Sequence, residues 1–156
     1  MFTNRLPYLF VVTALLIVTA CAPKSTPQQV ASTSLDQQLV GSWTATVTKE
    51  DVLRVVPDFQ QEYLCDNSGT FVWKFDTNGK FTIDQTSLPD CTNVNPGHTE
   101  DTWALDGNVV TFANGTPDQE SYEIAINGDH LTFKVKSSNC PPCIATNTAN
   151  PWTRVK

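Results

Sequence analysis

Apolar and polar residues alternate along most of the chain, and this alternation is the first guide to its fold. Residues 41–48 place Trp43 and Val47 on one face of an extended segment and hydroxyl side chains on the other. Phe71 and Phe75 likewise share a face in the next long run. A period of two residues is typical of β-strands with one buried face. Similar runs follow at residues 81–83, 103–105, 110–112, 122–126, 131–135 and 151–155.

Turn signals separate three pairs of these runs. They lie at Asn78-Gly79, Asp106-Gly107 and Asn127-Gly128, and such pairs favour the tight turns of β-hairpins. The runs predict about eight short strands and no long helix, and hence an all-β fold. The architecture that we predict is an antiparallel up-and-down barrel. A β-sandwich is the alternative. A closed barrel would leave no free strand edge at which copies of the chain could aggregate.

One segment departs from the alternation. Residues 49–56 have helical character and end at Pro57, which cannot continue a helix. The sequence therefore predicts one short helix, or a lid, after the first strand.

The charge balance restricts the possible partners. The 156 residues include 10 basic and 16 acidic ones, a net charge of −6 at pH 7. Nucleic-acid binding requires a basic surface, so this balance argues against a nucleic-acid partner. It argues equally against adsorption to anionic lipid through basic residues. The sequence contains no Gly-x-Ser-x-Gly, His-Glu-x-x-His or phosphate-loop motif, so we predict no catalytic residue, no cofactor and no enzymatic activity.

The beginning of the chain has the pattern of an export signal. Arg5 is followed by about 15 mostly apolar residues, whereas a membrane-spanning helix takes roughly 20. The next residue is Cys21, and the sequence Val18-Thr19-Ala20-Cys21 resembles the lipobox of bacterial lipoproteins. The resemblance implies cleavage before Cys21, lipidation of its thiol and anchoring in the cell envelope. An ordinary secretory signal followed by a chance cysteine is the alternative.

These features divide the chain into three parts. We predict a signal peptide at residues 1–20, a lipidated, flexible tether at residues 21–37 and one β-barrel domain at residues 38–156. Loss of Arg5 leaves 9 basic and 16 acidic residues, a net charge of −7. Ala22, in place of aspartate, implies by the lipoprotein sorting rule an outer-membrane location, if the cell has an outer membrane. The domain would then face the periplasm or the exterior.

Two distant motifs frame the predicted barrel and carry the lipocalin resemblance. Gly41-Ser42-Trp43 opens the domain and Trp152-Thr153-Arg154 closes it. Together they resemble the signature of the lipocalins and other calycins. The resemblance implies that Gly41 and Trp43 lie on the first strand and that Arg154, from the last strand, packs over Trp43. A guanidinium over an indole gains a cation–π contact and can donate to nearby carbonyls.

Four further cysteines follow Cys21, namely Cys65, Cys91, Cys140 and Cys143. An even number in an exported domain predicts two disulfides, and four cysteines permit three pairings. A cysteine before and another after the central hairpin is similar to the arrangement in bacterial lipocalin-like domains. The resemblance implies a Cys65–Cys91 disulfide, which would leave Cys140 to pair with Cys143.

The Cys-Pro-Pro-Cys motif at residues 140–143 raises a redox hypothesis. A reactive Cys-x-x-Cys has its first thiol at a helix N-terminus, where the thiol pKa is lowered. The polar residues on both sides of the motif favour a loop, and hence a structural disulfide. A Cys₄ zinc site normally has two closely spaced pairs and this chain has one, so we predict no metal site. His98, in a predicted loop, and His130 have no second ligand at suitable spacing and are predicted to be solvated.

Large aromatic residues are numerous for so small a domain. The interior of an eight-stranded barrel can be filled by side chains or can hold one small ligand. The sequence is therefore compatible with either a packed core or a modest apolar pocket. The candidate pocket walls are Trp43, Trp73, Phe75, Trp103 and Phe133. The leading hypothesis is non-enzymatic binding of a small hydrophobic ligand by a membrane-anchored lipoprotein. The alternatives are a structural or envelope-interaction domain with a filled barrel, and a thiol or metal sensor using Cys140 and Cys143.

Overall fold

Eight antiparallel strands close into a barrel in the order in which they occur along the chain. The structure, a computed structural model, describes residues 33–91, 97–113 and 115–156. The strands are β1 (Gly41–Val47), β2 (Gly69–Phe75), β3 (Lys80–Thr86), β4 (Gly97–Asp106), β5 (Val109–Phe112), β6 (Glu120–Asn127), β7 (His130–Ser137) and β8 (Trp152–Arg154). The helices are α1 (Leu35–Leu39), α2 (Lys49–Val55) and α3 (Pro141–Thr148), and a 3₁₀ turn covers Gln61–Tyr63.

The barrel is closed by pairing of the last strand with the first, where Trp43 lies opposite Arg154. This confirms the predicted up-and-down barrel and excludes the sandwich. The short helix expected after the first strand is α2. In the three predicted hairpins only Gly79, Gly107 and Gly128 have a positive φ, so glycine alone supplies the left-handed residue of each turn.

Alternate residues of each strand point into the barrel and form its core. Trp73 lies at the centre of this core, because its ring has centroid distances of 4.9–5.8 Å to five other aromatic rings. Those rings belong to Phe75, Phe81, Phe112, Phe133 and Trp152. Edge-on and tilted pairs predominate, as the quadrupoles of aromatic rings favour. Most of the barrel interior is therefore filled by side chains.

One end of the barrel is closed by α1 and by Arg154. The guanidinium of Arg154 lies 4.1 Å from the ring centroid of Trp43, the contact that the lipocalin resemblance implies. Arg154 also donates to the carbonyl oxygens of Gln38 and Val40 at the end of α1. The Trp43 indole donates to the Leu39 carbonyl oxygen at 2.8 Å. Gly41 has φ +122°, and a Cβ there would lie 3.0 Å from Arg154 Nη1, so this position requires glycine.

A carboxylate network joins α2 to the end of α3. Asp51 accepts from the backbone and hydroxyl of Thr48, from Arg54 and from the Asn150 amide. Burial opposes ionisation of Asp51, but these hydrogen bonds outweigh it and hold the pKa of the carboxyl well below its ordinary value. The reciprocal bonds between Thr48 and Asp51 form a capping box at the start of α2.

Both disulfides implied by the lipocalin resemblance are present. Cys65 is bonded to Cys91, and Cys140 to Cys143. The first joins the segment before β2 to the segment after β3 across 26 positions. Closing a loop of that length in the unfolded chain contributes about 3 kcal/mol in the chain-entropy account of disulfides.

Three local predictions are corrected. Residues 140–143 do not lie in a loop, because α3 begins at Pro141 and Cys140 is its N-cap. Proline suits the first helical turn, where its missing N–H has no intrahelical partner. His98 lies on β4 rather than in a loop, with Nδ1 2.6 Å from the Asp84 carboxylate. Helix α1 begins at Leu35, within the segment predicted as a tether.

Arg154→Lys should lower the free energy of unfolding by about 1–2 kcal/mol, measured by urea denaturation. Lysine keeps the charge but cannot stack on Trp43 and donate to two carbonyl groups at once. Arg54→Lys is the matched control, because Arg54 also bonds to a carboxylate, Asp51, and to one carbonyl oxygen, Ala149, but stacks on no described aromatic ring. Equal effects of the two substitutions would contradict a special role for the Arg154–Trp43 contact.

Candidate ligand-binding cavity

A cavity of about 360 Å³ lies at the end of the barrel where α3 packs. Inward-facing residues of five consecutive strands, β2 to β6, form its walls. Residues from α3 and from two loops complete its rim. The lining residues are Asp66, Asn67, Phe71, Trp73, Phe81, Ile83, Gln85, Thr99, Asp101, Phe112, Ala113, Asp118, Glu120, Cys143, Thr146 and Asn147.

The inner part of the cavity is aromatic. Phe71, Trp73, Phe81 and Phe112 line it, and the stacked pair Trp73–Phe81 has a centroid distance of 5.3 Å. Trp73 is only 3 % exposed, so it belongs both to the core and to the cavity wall. The packed core thus ends in an apolar floor that can cover the hydrophobic part of a small molecule.

Two residues that line the cavity each have a buried polar atom with no hydrogen-bond partner among the described residues. The atoms are Trp73 Nε1, a donor, and Asn147 Oδ1, an acceptor. The indoles of Trp43, Trp103 and Trp152, in contrast, all donate to backbone carbonyl groups. A buried polar group without a partner costs about 1–3 kcal/mol, so two such groups on one cavity are a feature that needs an explanation.

The charged side chains of the cavity are all acidic. Asp66, Asp101, Asp118 and Glu120 line it, and no described lysine, arginine or histidine does. Asp101 and Glu120 occupy inward-facing strand positions, two residues before Trp103 and Tyr122 on the same faces of β4 and β6. The electrostatic potential at the mouth of the barrel is therefore negative.

Glu120 is one of the partly buried acids of the cavity. The Tyr122 hydroxyl donates to Glu120 Oε2 at 2.5 Å, and Tyr122 itself is fully buried. Burial raises the pKa of Glu120, and hydrogen bonds from Tyr122 and Ser138 oppose the rise without cancelling it. Burial and the neighbouring carboxylate also raise the pKa of Tyr122, which stays a hydrogen-bond donor at neutral pH.

The Cys140–Cys143 disulfide lies beside this acid. The side chains of Glu120, Cys140 and Cys143 place their possible ligand atoms within 4.8 Å of one another. Cys143 also lines the cavity, and its backbone N–H donates to Cys140 Sγ at 3.3 Å, as at a helix N-cap. The motif therefore does have the helical position that the sequence argued against.

The five aromatic residues predicted as pocket walls lie in different parts of the barrel. Of the five aromatic residues proposed from the sequence, only Trp73 lines this cavity. Trp43 is enclosed beneath Arg154 at the opposite end, and Phe75 and Phe133 are packed among other rings. Trp103 borders a separate surface hollow near α1. The cavity lies at one end of the barrel, whereas those four side chains fill its interior or its other end.

Several residues that line the cavity were not predicted, although the alternation pattern of their strands places them on the inner face. Glu120, Tyr122 and Ile124 alternate on one face of β6, and Asp101 and Trp103 do so on β4. An acid on the apolar face of a strand marks a position where the core meets solvent or a ligand. Asn147 gave no such signal, because it lies on a helix that was expected to be a loop.

No protein-family model, curated protein or solved structure matches the chain. Among the described residues, none of the helices has the length and hydrophobicity needed to cross a membrane.

Glu120→Gln should raise the free energy of unfolding at pH 7, and this gain should shrink as the pH falls towards about 4, the ordinary range of a glutamate pKa. The folded-state pKa of Glu120 is raised, so between the folded and unfolded pKa values the folded chain binds more protons. The contribution of Glu120 to wild-type stability therefore becomes more favourable as pH falls through this window. Urea denaturation at several pH values measures the difference.

Glu123→Gln, on the other face of β6, controls for loss of a charge on the same strand. A gain at Glu120→Gln that stays constant from pH 7 to pH 4 would contradict the raised pKa.

Proposed function

We propose that the chain is a membrane-anchored bacterial lipoprotein whose lipocalin-like barrel binds a small, largely apolar molecule without catalysing a reaction. The observation that carries the proposal is the cavity beneath α3, where Trp73 Nε1 and Asn147 Oδ1 are buried without partners. Its volume of about 360 Å³ is at the lower end of the range typical of small-molecule sites.

The construction of the cavity supports a bound molecule over a merely imperfect core. Its floor is a set of rigid aromatic rings, as in many ligand sites, and polar side chains, four of them acidic, line the rest of it. A ligand that accepts from the Trp73 indole or donates to the Asn147 carbonyl would supply a hydrogen bond that the described residues do not. Aromatic side chains occupy most of the barrel interior outside this cavity. The ligand must therefore be a small molecule.

The lipocalin-like character is supported by Gly41, Trp43 and Arg154. The positive φ of Gly41 and the guanidinium over the indole reproduce the contact that the sequence motif implies. Membrane attachment is supported by the lipobox-like sequence ending in Cys21, which lies outside the described residues. We place the protein in the cell envelope, on the outer membrane if the cell has one.

Cys21→Ser should release the protein from the membrane fraction into the soluble fraction of its host, because the thiol that carries the lipid is lost. Fractionation and mass spectrometry of the N-terminal peptide measure the result. A variant that stays in the membrane, or an unmodified Cys21 in the wild-type peptide, would contradict the lipid anchor.

Thr146→Phe should abolish binding of naphthylethanol, a neutral probe with an aromatic body and one hydroxyl group. Thr146 lines the cavity from α3, so the larger side chain occupies the space of the probe. Isothermal titration calorimetry on the full chain in lipid nanodiscs is the measurement, with empty nanodiscs as the blank. For the wild type we expect a Kd on the order of 0.1 mM from the usual binding energy per ligand atom.

Thr82→Phe is the matched control, because Thr82 lies between the inward-facing Phe81 and Ile83 and so points away from the interior. It should leave binding unchanged. No binding to the wild type, or equal binding to both variants, would contradict the proposal. The first result would favour a structural or envelope-interaction domain with a filled barrel.

A second candidate function is thiol or metal sensing at Glu120, Cys140 and Cys143. The observation that favours it is the convergence of these three groups within 4.8 Å at the start of α3. The two sulfur atoms are joined in a disulfide, so metal binding would first require two electrons and two protons from a dithiol reductant. The resulting thiolates suit Zn²⁺.

The reduced full chain should then bind one Zn²⁺ per molecule, and Glu120→Gln should weaken this binding. A thiol count with a thiol reagent, followed by zinc titration, is the measurement. A double variant with serine at Cys65 and Cys91 leaves only the proposed pair in the barrel domain. Free thiols without zinc uptake would contradict this second candidate.

A further inference from the structure

The acidic residues of the cavity differ from many other acids in the described part of the chain, because they have no basic partner. Acidic residues there pair with basic ones in several places, as Lys49 does with Asp90 and Lys156 with Asp129. Asp66, Asp101, Asp118 and Glu120 form no ion pair with any described residue, although they line one cavity. Four carboxylates around a volume of about 360 Å³ repel one another and any anion that approaches.

The buried amide on the cavity wall points to the same ligand chemistry. Asn147 is only 2 % exposed, lines the cavity, and its Oδ1 is an acceptor without a described donor. A buried carbonyl oxygen of this kind is satisfied by an N–H or O–H of a ligand. A protonated amine has up to three such hydrogens and a charge opposite to that of the four acids.

The aromatic floor is also compatible with a cation. The rings of Phe71, Phe81, Phe112 and Trp73 bound the inner part of the cavity, and ring faces attract ammonium groups. The same rings cover an apolar body, so a molecule with both an amine and a hydrophobic part makes favourable contacts throughout.

We propose that the ligand of this cavity is a small organic cation, a protonated amine on an aromatic or aliphatic body, held by the carboxylates of Asp101 and Glu120 and by the Asn147 carbonyl. This inference rests on the proposed binding function and narrows its ligand class. It excludes fatty acids and other carboxylates, whose charge would meet four acids without a basic partner.

The test compares three probes with the same aromatic body and different charge, namely naphthylethylamine, naphthylethanol and naphthylacetate. Calorimetry on the full chain in nanodiscs of neutral lipid, with empty nanodiscs as the blank, gives the three affinities. The amine should bind about tenfold more tightly than the alcohol, the gain expected from a partly desolvated ion pair. The acetate should show no binding.

Two isosteric variants locate the effect. Asp101→Asn and Glu120→Gln should each weaken amine binding about fivefold and weaken binding of the alcohol by a smaller factor, since each removes one charge near the ammonium group. Asp106→Asn is the matched control for Asp101, on the same strand but exposed at the hairpin, and Glu123→Gln is the control for Glu120. Neither control should alter amine binding.

The outcomes separate this inference from the proposed function. Binding of the alcohol and the acetate as tightly as the amine would overturn the cationic ligand and leave small-molecule binding intact. Failure of all three probes to bind would overturn both. Loss of alcohol binding together with amine binding in Glu120→Gln would assign Glu120 a structural role and contradict its part in holding a cation.

Discussion

The packing of Trp73 against five aromatic rings is the interaction on which the rest of this structure depends. An eight-stranded barrel has an interior that its own side chains can fill, and here inward-facing rings from β2, β3, β5, β7 and β8 meet at one indole. The candidate cavity lies where these contacts end, beneath α3. The same side chain therefore stabilises the core and forms the floor of the candidate site.

The two ends of the barrel differ in whether their polar groups have partners, and only the α1 end is built for stability alone. At the α1 end Arg154 packs over Trp43 beside Gly41, and the indole N–H and both terminal nitrogens of the guanidinium donate to carbonyl oxygens. At the α3 end the acids are unpaired and two buried polar atoms lack partners. Residues that cost stability and are nonetheless grouped on one cavity are typical of binding sites. The raised pKa of Glu120 reflects the same cost.

The barrel could be predicted from the sequence because its signals are local. Alternation in each strand and a glycine in each hairpin are properties of neighbouring residues, and they place Phe71, Trp73 and Phe75 on the inner face of β2. The cavity could not be predicted in the same way, since its walls come from five strands and α3. Which large rings fill the interior and which line an opening depends on their position along the barrel axis. Helix α3 was missed because Cys140, Pro141 and Pro142 suggest a loop, although proline is well suited to a first helical turn.

The most direct test of the binding account is native mass spectrometry of the lipoprotein purified from the membrane of its own host, before and after denaturation. The account predicts a complex heavier than the protein alone, with the extra mass lost on denaturation and recovered as a small molecule carrying an amine. The same mass before and after denaturation would contradict a resident ligand, and release of a carboxylic acid would contradict the cationic one.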